Sequence, residues 1–273
     1  MKIMKKIPFH KIHGNGNDFI LIDDRRGILK GKGLSGLAKQ VCHRHRSVGA
    51  DGLIVIVPSK KADFKWRFFN SDGSEAEMCG NGSRCAARFA SIKKIAPKNM
   101  AFETLAGIIH AEVKKETVRV QLTGAADLRL NIAVSVAGGT RTGHFINTGV
   151  PHLVYLSDHL EGEDVQAVGK ATRYHEIFQP AGTNANFIQI DGTHRLRIRT
   201  YERGVEGETL ACGTGAVAAA LIAAVLGKAS SPVTVTTRGG DKLIVSFKQD
   251  GESFADLHLE GAAEVVCEGT LYL

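Results

Sequence analysis

The sequence lacks the features that would place the protein in a membrane or a secretory pathway. No apolar run approaches the roughly 20 residues that a membrane-spanning helix needs. The basic start, residues 1–6, is not followed by the apolar segment of a signal peptide. Five cysteines in 273 residues are a sparse and odd-numbered set, which argues against a disulfide scaffold. We therefore expect a globular, cytoplasmic protein with no membrane partner.

Aromatic residues are also few, at 6% of the chain, and no long basic run occurs. The net charge is +7, from 35 basic and 28 acidic residues, so the surface attracts anions. Nucleic-acid binding usually needs clustered basic residues together with aromatic rings that stack on bases. Because the lysines and arginines are scattered, we expect a small-molecule metabolite as the partner and no nucleic acid.

Metal-binding and redox spacings are missing as well. Cys79 and Cys85 lie six residues apart, which fits neither a C-x-x-C redox motif nor a zinc knuckle. The run 42–45, Cys-His-Arg-His, has no second cluster of ligands in the sequence that would complete a metal site. We predict no metal ion and interpret this run as the end of a helix with solvated basic residues.

The chain does contain abundant glycine, 31 residues, and two nearly identical glycine motifs. Residues 78–82 (MCGNG) and 211–215 (ACGTG) each place a cysteine before Gly-x-Gly, at the start of an alanine-rich helical pattern. The cysteines, Cys79 and Cys212, are 133 residues apart (212 − 79), one in each half of the chain. Two thiols at helix starts can serve one carbon from opposite sides, one as a base and the other as an acid.

Each motif favours the ionised form of its cysteine. A helix N-terminus carries partial positive charge, and glycines let backbone N–H groups converge on a sulfur, which favours thiolate over thiol. Backbone N–H groups can also stabilise the charge that builds on a substrate carboxylate when the adjacent proton leaves. Here those groups belong to Gly80, Asn81, Gly213 and Thr214. No segment commits a lysine to pyridoxal phosphate, so we predict no cofactor.

Short β-branched or alternating runs dominate and predict an α+β fold with many strands. Strands are expected at 19–23, 53–57, 66–69, 108–113 and 118–122, and then at 153–156, 186–190, 196–201, 233–237, 243–247 and 254–259. Helices are expected at 34–44, 82–94, near 160–168 and at 213–226. The last helix is apolar on every side, which predicts burial inside a strongly curved sheet.

The length suits two cores of about 130 residues each. Residues 19–23 (FILID) are echoed by residues 187–191 (FIQID), each after a turn rich in glycine and asparagine. We predict an N-terminal lobe over 1–124 that carries Cys79 and a C-terminal lobe over 125–261 that carries Cys212. The terminal segment 262–273 is a candidate for completing the N-terminal lobe.

Seven ordered blocks make the chain similar to the diaminopimelate epimerase family. They are 13–19 (HGNGNDF), 49–52 (GADG), 69–74 (FNSDGS), 78–82 (MCGNG), 149–152 (GVPH), 182–187 (GTNANF), and 201–204 (YERG) followed by 211–215 (ACGTG). The resemblance implies two pseudo-symmetric lobes, each a curved, barrel-like mixed sheet around a central helix, with the site between them. It also implies a homodimeric isomerase that interconverts LL- and meso-diaminopimelate without a cofactor, on the route to lysine and peptidoglycan.

The resemblance also assigns roles to residues of this chain. It makes Cys79 and Cys212 the acid/base pair, supported by His152 and Glu202. The non-reacting, zwitterionic end of the substrate is assigned to Asn17, Asn70, Asn184, Glu202 and Arg203. The reacting carboxylate is assigned to the backbones of Gly80, Asn81, Gly213 and Thr214. The residue types agree, because Arg203 can hold a carboxylate through two N–H groups and Glu202 can pair with an ammonium.

Two positions depart from the family pattern, and other functions stay open. Some members have Gln at the position of Gly52 and Asn at that of Val150, so neither residue is assigned as a ligand. An aromatic dimer contact of some members falls on Cys267. The alternatives are a proline-type racemase or epimerase of another amino or hydroxy acid, a thiol redox protein, and a non-enzymatic amino-acid-binding protein.

Overall fold

The structure, a computed structural model, describes residues 5–136 and 138–272. Residues 1–4 of the basic start discussed above lie outside this range. Proximity of Cα atoms groups the chain into two compact units, Met1–Val120 with Gly261–Leu273, and Gln121–Glu260. We call these unit 1 and unit 2. The domain limits predicted from the sequence, at residues 124 and 261, stay a prediction.

In the described part of unit 1, eight strands form one mixed sheet. They are β1 (Lys6–Gly14), β2 (Asn17–Asp23), β3 (Gly52–Val57), β4 (Phe64–Asn70), β5 (Asn99–Thr104), β6 (Gly107–Val113), β7 (Thr117–Gln121) and the C-terminal β17 (Glu264–Tyr272). Their order is β17-β1-β2-β3-β4-β5-β6-β7. The pairs β2–β3 and β4–β5 are parallel and the others antiparallel.

Two helices provide the crossovers that the parallel pairs need. Helix α1 (Leu34–Val41) connects β2 to β3, and helix α2 (Gly80–Ile92) connects β4 to β5. Ten of the thirteen residues of α2 are buried, and the helix contacts β1, β2, β3 and β6. Because contacts surround α2 on several sides, the sheet of unit 1 curves around it.

The described part of unit 2 repeats this plan. Its strands are β8 (Ala126–Val136), β9 (Gly139–Asn147), β10 (Pro151–Leu156), β11 (Asn184–Gly192), β12 (Arg195–Glu202), β13 (Gly207–Thr209), β14 (Val233–Thr236), β15 (Lys242–Asp250) and β16 (Ser253–Ala262). Eight of them form the order β8-β9-β10-β11-β12-β14-β15-β16, and β13 pairs with β12. The third and fifth pairings along this order are parallel, as in unit 1.

The helices of unit 2 occupy the matching connections. Helix α3 (Val165–Arg173) lies between β10 and β11, and helix α4 (Gly213–Val225) lies between β13 and β14. Eleven of the thirteen residues of α4 are buried, so α4 is the central helix of its sheet. Short 3-10 turns occur at Leu160–Gly162 and Glu176–Phe178. No helix among the described residues is long and apolar enough to cross a membrane.

The predicted fold class is confirmed: the protein is α+β, with two pseudo-symmetric halves that each wrap a mixed sheet around a central helix. All eleven predicted strands occur, and β1, β5, β8, β9, β13 and β17 are additional. The helix expected near 160–168 is wrong in its limits. It begins at Val165, because the side chain of Asp164 caps it by accepting a hydrogen bond from Ala167 N at 2.9 Å.

Candidate functional site

Cys79 is the N-cap residue of α2, so its sulfur lies where the helix begins. Its backbone is extended (φ −148°, ψ 121°), and Sγ accepts a hydrogen bond from Gly82 N at 3.4 Å. This contact satisfies one of the N–H groups that a helix leaves unpaired at its start. A Cβ on Gly82 would lie 3.4 Å from Cys79 Cβ and 3.3 Å from Ile54 Cδ1. Because Cys79 is the N-cap and its sulfur accepts from Gly82 N, the sulfur lies at the positive end of the helix dipole.

Asn17, at the start of β2, approaches the same sulfur. Its Oδ1 accepts hydrogen bonds from Cys79 Sγ at 3.8 Å and from Asn81 Nδ2 at 3.3 Å. Its Nδ2 donates to Asp51 Oδ2 at 2.7 Å. The tight turn before β2 has Asn15 at φ 57°, a left-handed conformation that asparagine tolerates. Unit 1 thus brings together three of the predicted site residues.

Arg84 lies one turn into α2 and has no exposed surface. Its Nη2 donates to Asn81 Oδ1 at 2.9 Å and to Asn15 Oδ1, and its Nη1 donates to Gly80 O at 3.3 Å. Its Nε donates to Ala262 O at 3.4 Å. The guanidinium therefore joins the turn before β2 to the first turn of α2. No role for Arg84 was predicted from the sequence, where the available signal was an arginine one turn after the MCGNG motif.

Asn17 is connected through Asp51 to a cluster of four charged side chains, which are Lys11, Asp18, Arg44 and Asp51. Arg44 Nη2 donates to Asp18 Oδ1 at 2.8 Å and to Asp51 Oδ1 at 2.7 Å, and Lys11 Nζ lies 3.0 Å from Asp18 Oδ2. Burial disfavours the charged form of Asp18, but hydrogen bonds from Arg44 and Lys11 prevail and hold the pKa of this carboxyl below its ordinary value. Arg44, interpreted from the sequence as a solvated residue at a helix end, is exposed just after α1, and it also bridges two carboxylates.

Asn70 ends β4 at the edge of the sheet where β2 begins. In the strand register, Gly52 of β3 pairs with Asn70 on one side and with Phe19 of β2 on the other. The Asn70 side chain is exposed, and its Nδ2 donates to Ser74 Oγ at 3.0 Å. A side chain at position 52 would clash, because a Cβ there would lie 2.7 Å from Phe68 Cε2. Asn17 and Asn70 therefore share one sheet edge.

Cys212 is the N-cap residue of α4, with an extended backbone (φ −121°, ψ 112°) and 7% exposure. Its Sγ lies 3.6 Å from Thr214 Oγ1. The first turn is also held by Thr148, whose hydroxyl donates to Thr214 O at 3.0 Å. A Cβ on Gly215 would lie 3.3 Å from Cys212 Sγ and 2.6 Å from Asn186 Oδ1. Only glycine therefore lets Asn186 approach this helix start so closely.

His152 of β10 is fully buried beside Asn186, and its Nδ1 lies 3.1 Å from Asn186 Nδ2. Asn186 Nδ2 also donates to Leu153 O at 3.1 Å, while its Oδ1 accepts from Thr200 Oγ1 at 3.0 Å. Leu153 O is a carbonyl oxygen and only accepts hydrogen bonds, so the Asn186 atom beside it is the NH₂ group. The same NH₂ group donates to His152 Nδ1, which is therefore an acceptor. In the neutral ring the proton then resides on Nε2.

Burial lowers the pKa of His152 to about 3, and the nearby charge of Arg203 acts in the same direction. The ring is therefore neutral at physiological pH, and its Nε2–H is a hydrogen-bond donor. No hydrogen-bond partner for Nε2 lies among residues 5–136 and 138–272. Asn186, which fixes this tautomer, was predicted only as part of a strand.

Asn184, at the start of β11, uses its side chain to organise the backbone around it. Its Nδ2 donates to Pro151 O at 2.8 Å, and its Oδ1 accepts from Arg203 N at 2.8 Å. Arg203 in turn donates from Nη1 to Ala181 O at 2.9 Å. An amide nitrogen has a second hydrogen and an amide oxygen a second lone pair, so these contacts leave Asn184 able to bind a further polar group.

Glu202 ends β12 next to Arg203. Its Oε2 accepts a hydrogen bond from Thr209 Oγ1 at 3.0 Å. Thr209 belongs to the short strand β13, which pairs with β12. This strand, absent from the sequence-based expectation, therefore orients the carboxylate that the resemblance assigns to a substrate ammonium.

Cys42 and Cys85 lie in a different environment. Burial raises the pKa of the Cys42 thiol to about 12, and burial also raises the pKa of Cys85. Both thiols stay protonated at neutral pH and are poor nucleophiles and bases. No group of three or more His, Cys, Asp or Glu side chains that could hold a metal ion occurs in the described part of the chain.

Comparisons with known proteins agree with the resemblance seen in the motifs. The model of the family described as diaminopimelate epimerase matches residues 9–128 and 144–266. The diaminopimelate epimerase of Hydrogenobaculum sp. (strain Y04AAS1) is 48% identical, with 96% of this chain and 97% of that protein covered. That of Aquifex aeolicus (strain VF5) is 47% identical, with 97% and 98% covered.

Among solved structures, the PhzF-family phenazine biosynthesis protein of Bacillus anthracis is similar to this chain. The TM-score is 0.78, with 99% of this chain and 100% of that chain covered. The sequence identity is 16%. At that level the likeness shows a shared fold.

Proposed function

Since this chain belongs to the diaminopimelate epimerase family, an isomerase family, we propose that it interconverts LL- and meso-diaminopimelate by transferring a proton at one Cα. The observation that supports this most strongly is the repeated helix start, in which Cys79 and Cys212 are each the N-cap of a buried central helix. We assign the reaction to lysine and peptidoglycan precursor synthesis in the cytoplasm.

In the proposed reaction, one cysteine acts as a thiolate and the other as a thiol. The thiolate removes the Cα proton, and the electron pair of the C–H bond moves into the adjacent carboxylate. The thiol then donates its proton to the opposite face of Cα, which inverts the centre. The sulfurs have exchanged protonation states, so the enzyme is ready for the reverse reaction.

The negative charge of the intermediate requires hydrogen-bond donors already in place. We assign this role to the backbone N–H groups of Gly80, Asn81, Gly213 and Thr214, all in the first turns of α2 and α4. His152 contributes as a neutral donor through Nε2–H, because its Nδ1 accepts from Asn186 and its pKa is lowered to about 3. A ring in this state is unsuited to act as a proton acceptor at Nε2.

The far end of diaminopimelate carries a second ammonium and carboxylate. We propose that Glu202 binds the ammonium, Arg203 binds the carboxylate, and Asn17, Asn70 and Asn184 complete the polar contacts. The guanidinium of Arg203 donates to Ala181 O, and the backbone N–H of Arg203 donates to Asn184 Oδ1, so both the side chain and its backbone are oriented. A substrate with a single zwitterionic end, such as proline, would leave these groups without partners and would be rejected.

We propose that the protein works as a homodimer and without pyridoxal phosphate. In support of an interface, β17 exposes the apolar side chains of Val265, Val266 and Tyr272. Large exposed apolar groups on one strand are typical of a contact surface. Light scattering on the purified protein tests the oligomeric state, and a visible absorption band from a Schiff base would contradict the absence of the cofactor.

The function is tested with Cys79→Ser and Cys212→Ser, assayed separately for epimerisation of LL-diaminopimelate in deuterium oxide. We expect each variant to lose at least about 10³-fold in kcat/KM, because each direction needs one acid and one base. The wild type should introduce deuterium at Cα. Cys267→Ser is the matched thiol control. Because Cys267 lies on the strand proposed as the dimer interface, light scattering checks its oligomeric state, and a dimeric Cys267→Ser should keep most of its kcat/KM.

Near-normal activity in either serine variant would overturn the two-thiol mechanism. Faster turnover of proline or 4-hydroxyproline than of diaminopimelate would instead favour a proline-type epimerase. Cycling of the two thiols with thioredoxin, without isotope exchange at Cα, would favour a redox protein.

A further inference from the structure

The side-chain amides of Asn17 and Asn81 are oriented by groups of opposite charge. A carboxylate only accepts hydrogen bonds, so the Asn17 atom that lies 2.7 Å from Asp51 Oδ2 is Nδ2. A guanidinium only donates, so the Asn81 atom that lies 2.9 Å from Arg84 Nη2 is Oδ1.

The two remaining amide atoms, Asn17 Oδ1 and Asn81 Nδ2, then meet at 3.3 Å as acceptor and donor. If Asn17 were turned over, its NH₂ group would face the NH₂ group of Asn81, and its carbonyl oxygen would face the carboxylate of Asp51. No other combination of the two amide orientations satisfies all three contacts. The three contacts therefore fix the orientations of both amides.

This arrangement places a carbonyl oxygen, and not an NH₂ group, 3.8 Å from the sulfur of Cys79. A carbonyl oxygen accepts a hydrogen bond from S–H and repels a thiolate, whereas an NH₂ group would stabilise the thiolate. The backbone N–H of Gly82 also lies 3.4 Å from this sulfur, and it favours the thiolate. One neighbour of the sulfur, Asn17 Oδ1, therefore favours the thiol, and another, Gly82 N–H, favours the thiolate.

We propose that Asp51 and Arg84 are positioning residues that raise the proton affinity of Cys79 by holding the carbonyl oxygen of Asn17 against its sulfur. The catalytic meaning rests on the proposed function, in which Cys79 must both take and give a proton. An efficient acid/base group needs its two forms to be of similar stability. The Asn17 carbonyl offsets the helix start, which alone would favour the thiolate.

The charged groups around this pair come from five places in unit 1. They are Lys11 on β1, Asp18 on β2, Arg44 after α1, Asp51 before β3 and Arg84 on α2. Arg44 holds the second oxygen of Asp51 at 2.7 Å, so the carboxylate is itself oriented. Asp51 thereby acts on Cys79 through Asn17.

The test is the pH dependence of Cys79 alkylation by iodoacetamide, followed on the Cys79 peptide by mass spectrometry. All variants carry Cys212→Ser, so that one thiol titrates without coupling to the other. The set is Asp51→Asn, Asn17→Ala and the double variant. An amide at position 51 can accept from or donate to Asn17, so one of the two groups that orient Asn17 is lost. Asn17 can then present its NH₂ group to the sulfur by giving up its hydrogen bond from Asn81 Nδ2.

We expect Asp51→Asn to lower the alkylation midpoint by roughly half a pH unit or more, the size of one net hydrogen bond. Asn17→Ala should also lower it. In the Asn17→Ala background, Asp51→Asn should add less than half of its original shift, because the residue through which it acts is gone. Asp51→Ala, which removes the carboxylate without adding an amide, replaces Asp51→Asn if that variant does not fold.

Equal shifts from Asp51→Asn in both backgrounds would show that Asp51 acts only as a distant charge, and this would overturn the proposal. No shift in either background would overturn it as well. Asp23→Asn removes a carboxylate paired with Arg25 at the other end of β2 and should leave the midpoint unchanged. Because alkylation needs no epimerase activity, this result is independent of whether the proposed reaction is correct.

Discussion

The two helix starts share a backbone geometry and differ in what surrounds the sulfur. Around Cys79 the neighbours are polar and supported by charge, with Arg84 fully buried in α2. At Cys212 the contacts described above are made by neutral groups, with Thr214 Oγ1 near the sulfur and the His152–Asn186 pair beside α4. The extended N-cap is thus common to both, and the tuning of each thiol is physically different.

This difference predicts which kind of substitution destabilises each helix start. A buried guanidinium is tolerated only when its donors are satisfied, and Arg84 donates to four oxygen acceptors in unit 1. Helix α4 has no such group, and its start instead depends on the close approach of Asn186 to Gly215. Unit 1 is therefore sensitive to loss of polar partners, and unit 2 to added volume.

Among the tests of this comparison, the largest expected effect comes from adding one methyl group at the start of α4. In Gly215→Ala the new Cβ would lie 2.6 Å from Asn186 Oδ1, so Asn186 and the helix start must separate. We expect a loss of about 2 kcal/mol in unfolding free energy and of at least about 100-fold in kcat/KM. Urea denaturation and steady-state kinetics measure the two quantities.

Gly82→Ala is the matched control. Its Cβ would lie 3.3 Å from Ile54 Cδ1, the end of a side chain that can move, and alanine favours the helix by up to about 1 kcal/mol. We expect its unfolding free energy to stay within about 1 kcal/mol of the wild type. A greater loss in Gly82→Ala than in Gly215→Ala would contradict the contrast between the units.

The two environments should also differ in how the unfolding free energy depends on pH, because His152 in unit 2 and Asp18 in unit 1 titrate in different pH ranges. The pKa of His152 falls from 6.5 to about 3 on folding, so between these values the unfolded chain binds a proton that the native chain does not. Stability therefore falls as the pH drops from 6.5 towards 3, by up to about 1.4 kcal/mol per pH unit. His152→Gln should reduce the slope of the unfolding free energy between pH 6.5 and 4 without removing it, because burial also lowers the pKa values of His10 and His144.

Asp18 acts in a lower pH range. Its pKa lies below the ordinary 3.8 in the native state, so its contribution is complete above that value and is lost as the pH falls further. Asp18→Asn should therefore change the slope below about pH 4 and leave the range from 6.5 to 4 unaffected. An altered slope between pH 6.5 and 4 in Asp18→Asn would show that the two units are not tuned separately.

The smallest expected effect concerns the hydroxyl beside Cys212. Thr214→Val removes Oγ1, which lies 3.6 Å from the sulfur, and keeps the branched shape. We expect kcat/KM to fall about 5-fold, the equivalent of one hydrogen bond of about 1 kcal/mol. Thr214→Ser keeps the hydroxyl and should retain most of the activity. Equal losses in both variants would point to packing instead of hydrogen bonding.

Much of the fold could be predicted from the sequence because buried strands show regular apolar patterns. Two of the strands that were missed are exposed over most of their length. β8 alternates between exposed and partly exposed positions, and β17 is exposed at most of its residues. In β8 and β17 the pairing partner, and not burial of every second side chain, determines the structure. In β1 every second side chain is largely buried, but Lys and His interrupt the apolar pattern in the sequence.

The site was predictable where the chemistry lies within one short motif, as for each cysteine before its glycines. It was not predictable where distant residues meet. Asp51 contacts Asn17 across 34 positions, and Arg84 contacts Asn15 across 69. Asn186 was read as a strand residue because its contact with His152 spans 34 positions. Only the folded sheet brings these groups within hydrogen-bond distance.

The pairing of β1 with β17 constrains how the chain folds while it is being synthesised. Lys6 pairs with Tyr272, so one side of β1 stays unpaired until residues 264–272 have been made. Unit 2, in contrast, is a continuous stretch and can fold while the tail is still being translated. A premature stop codon before residue 264 would leave β1 with an open edge, the kind of surface on which nascent chains aggregate.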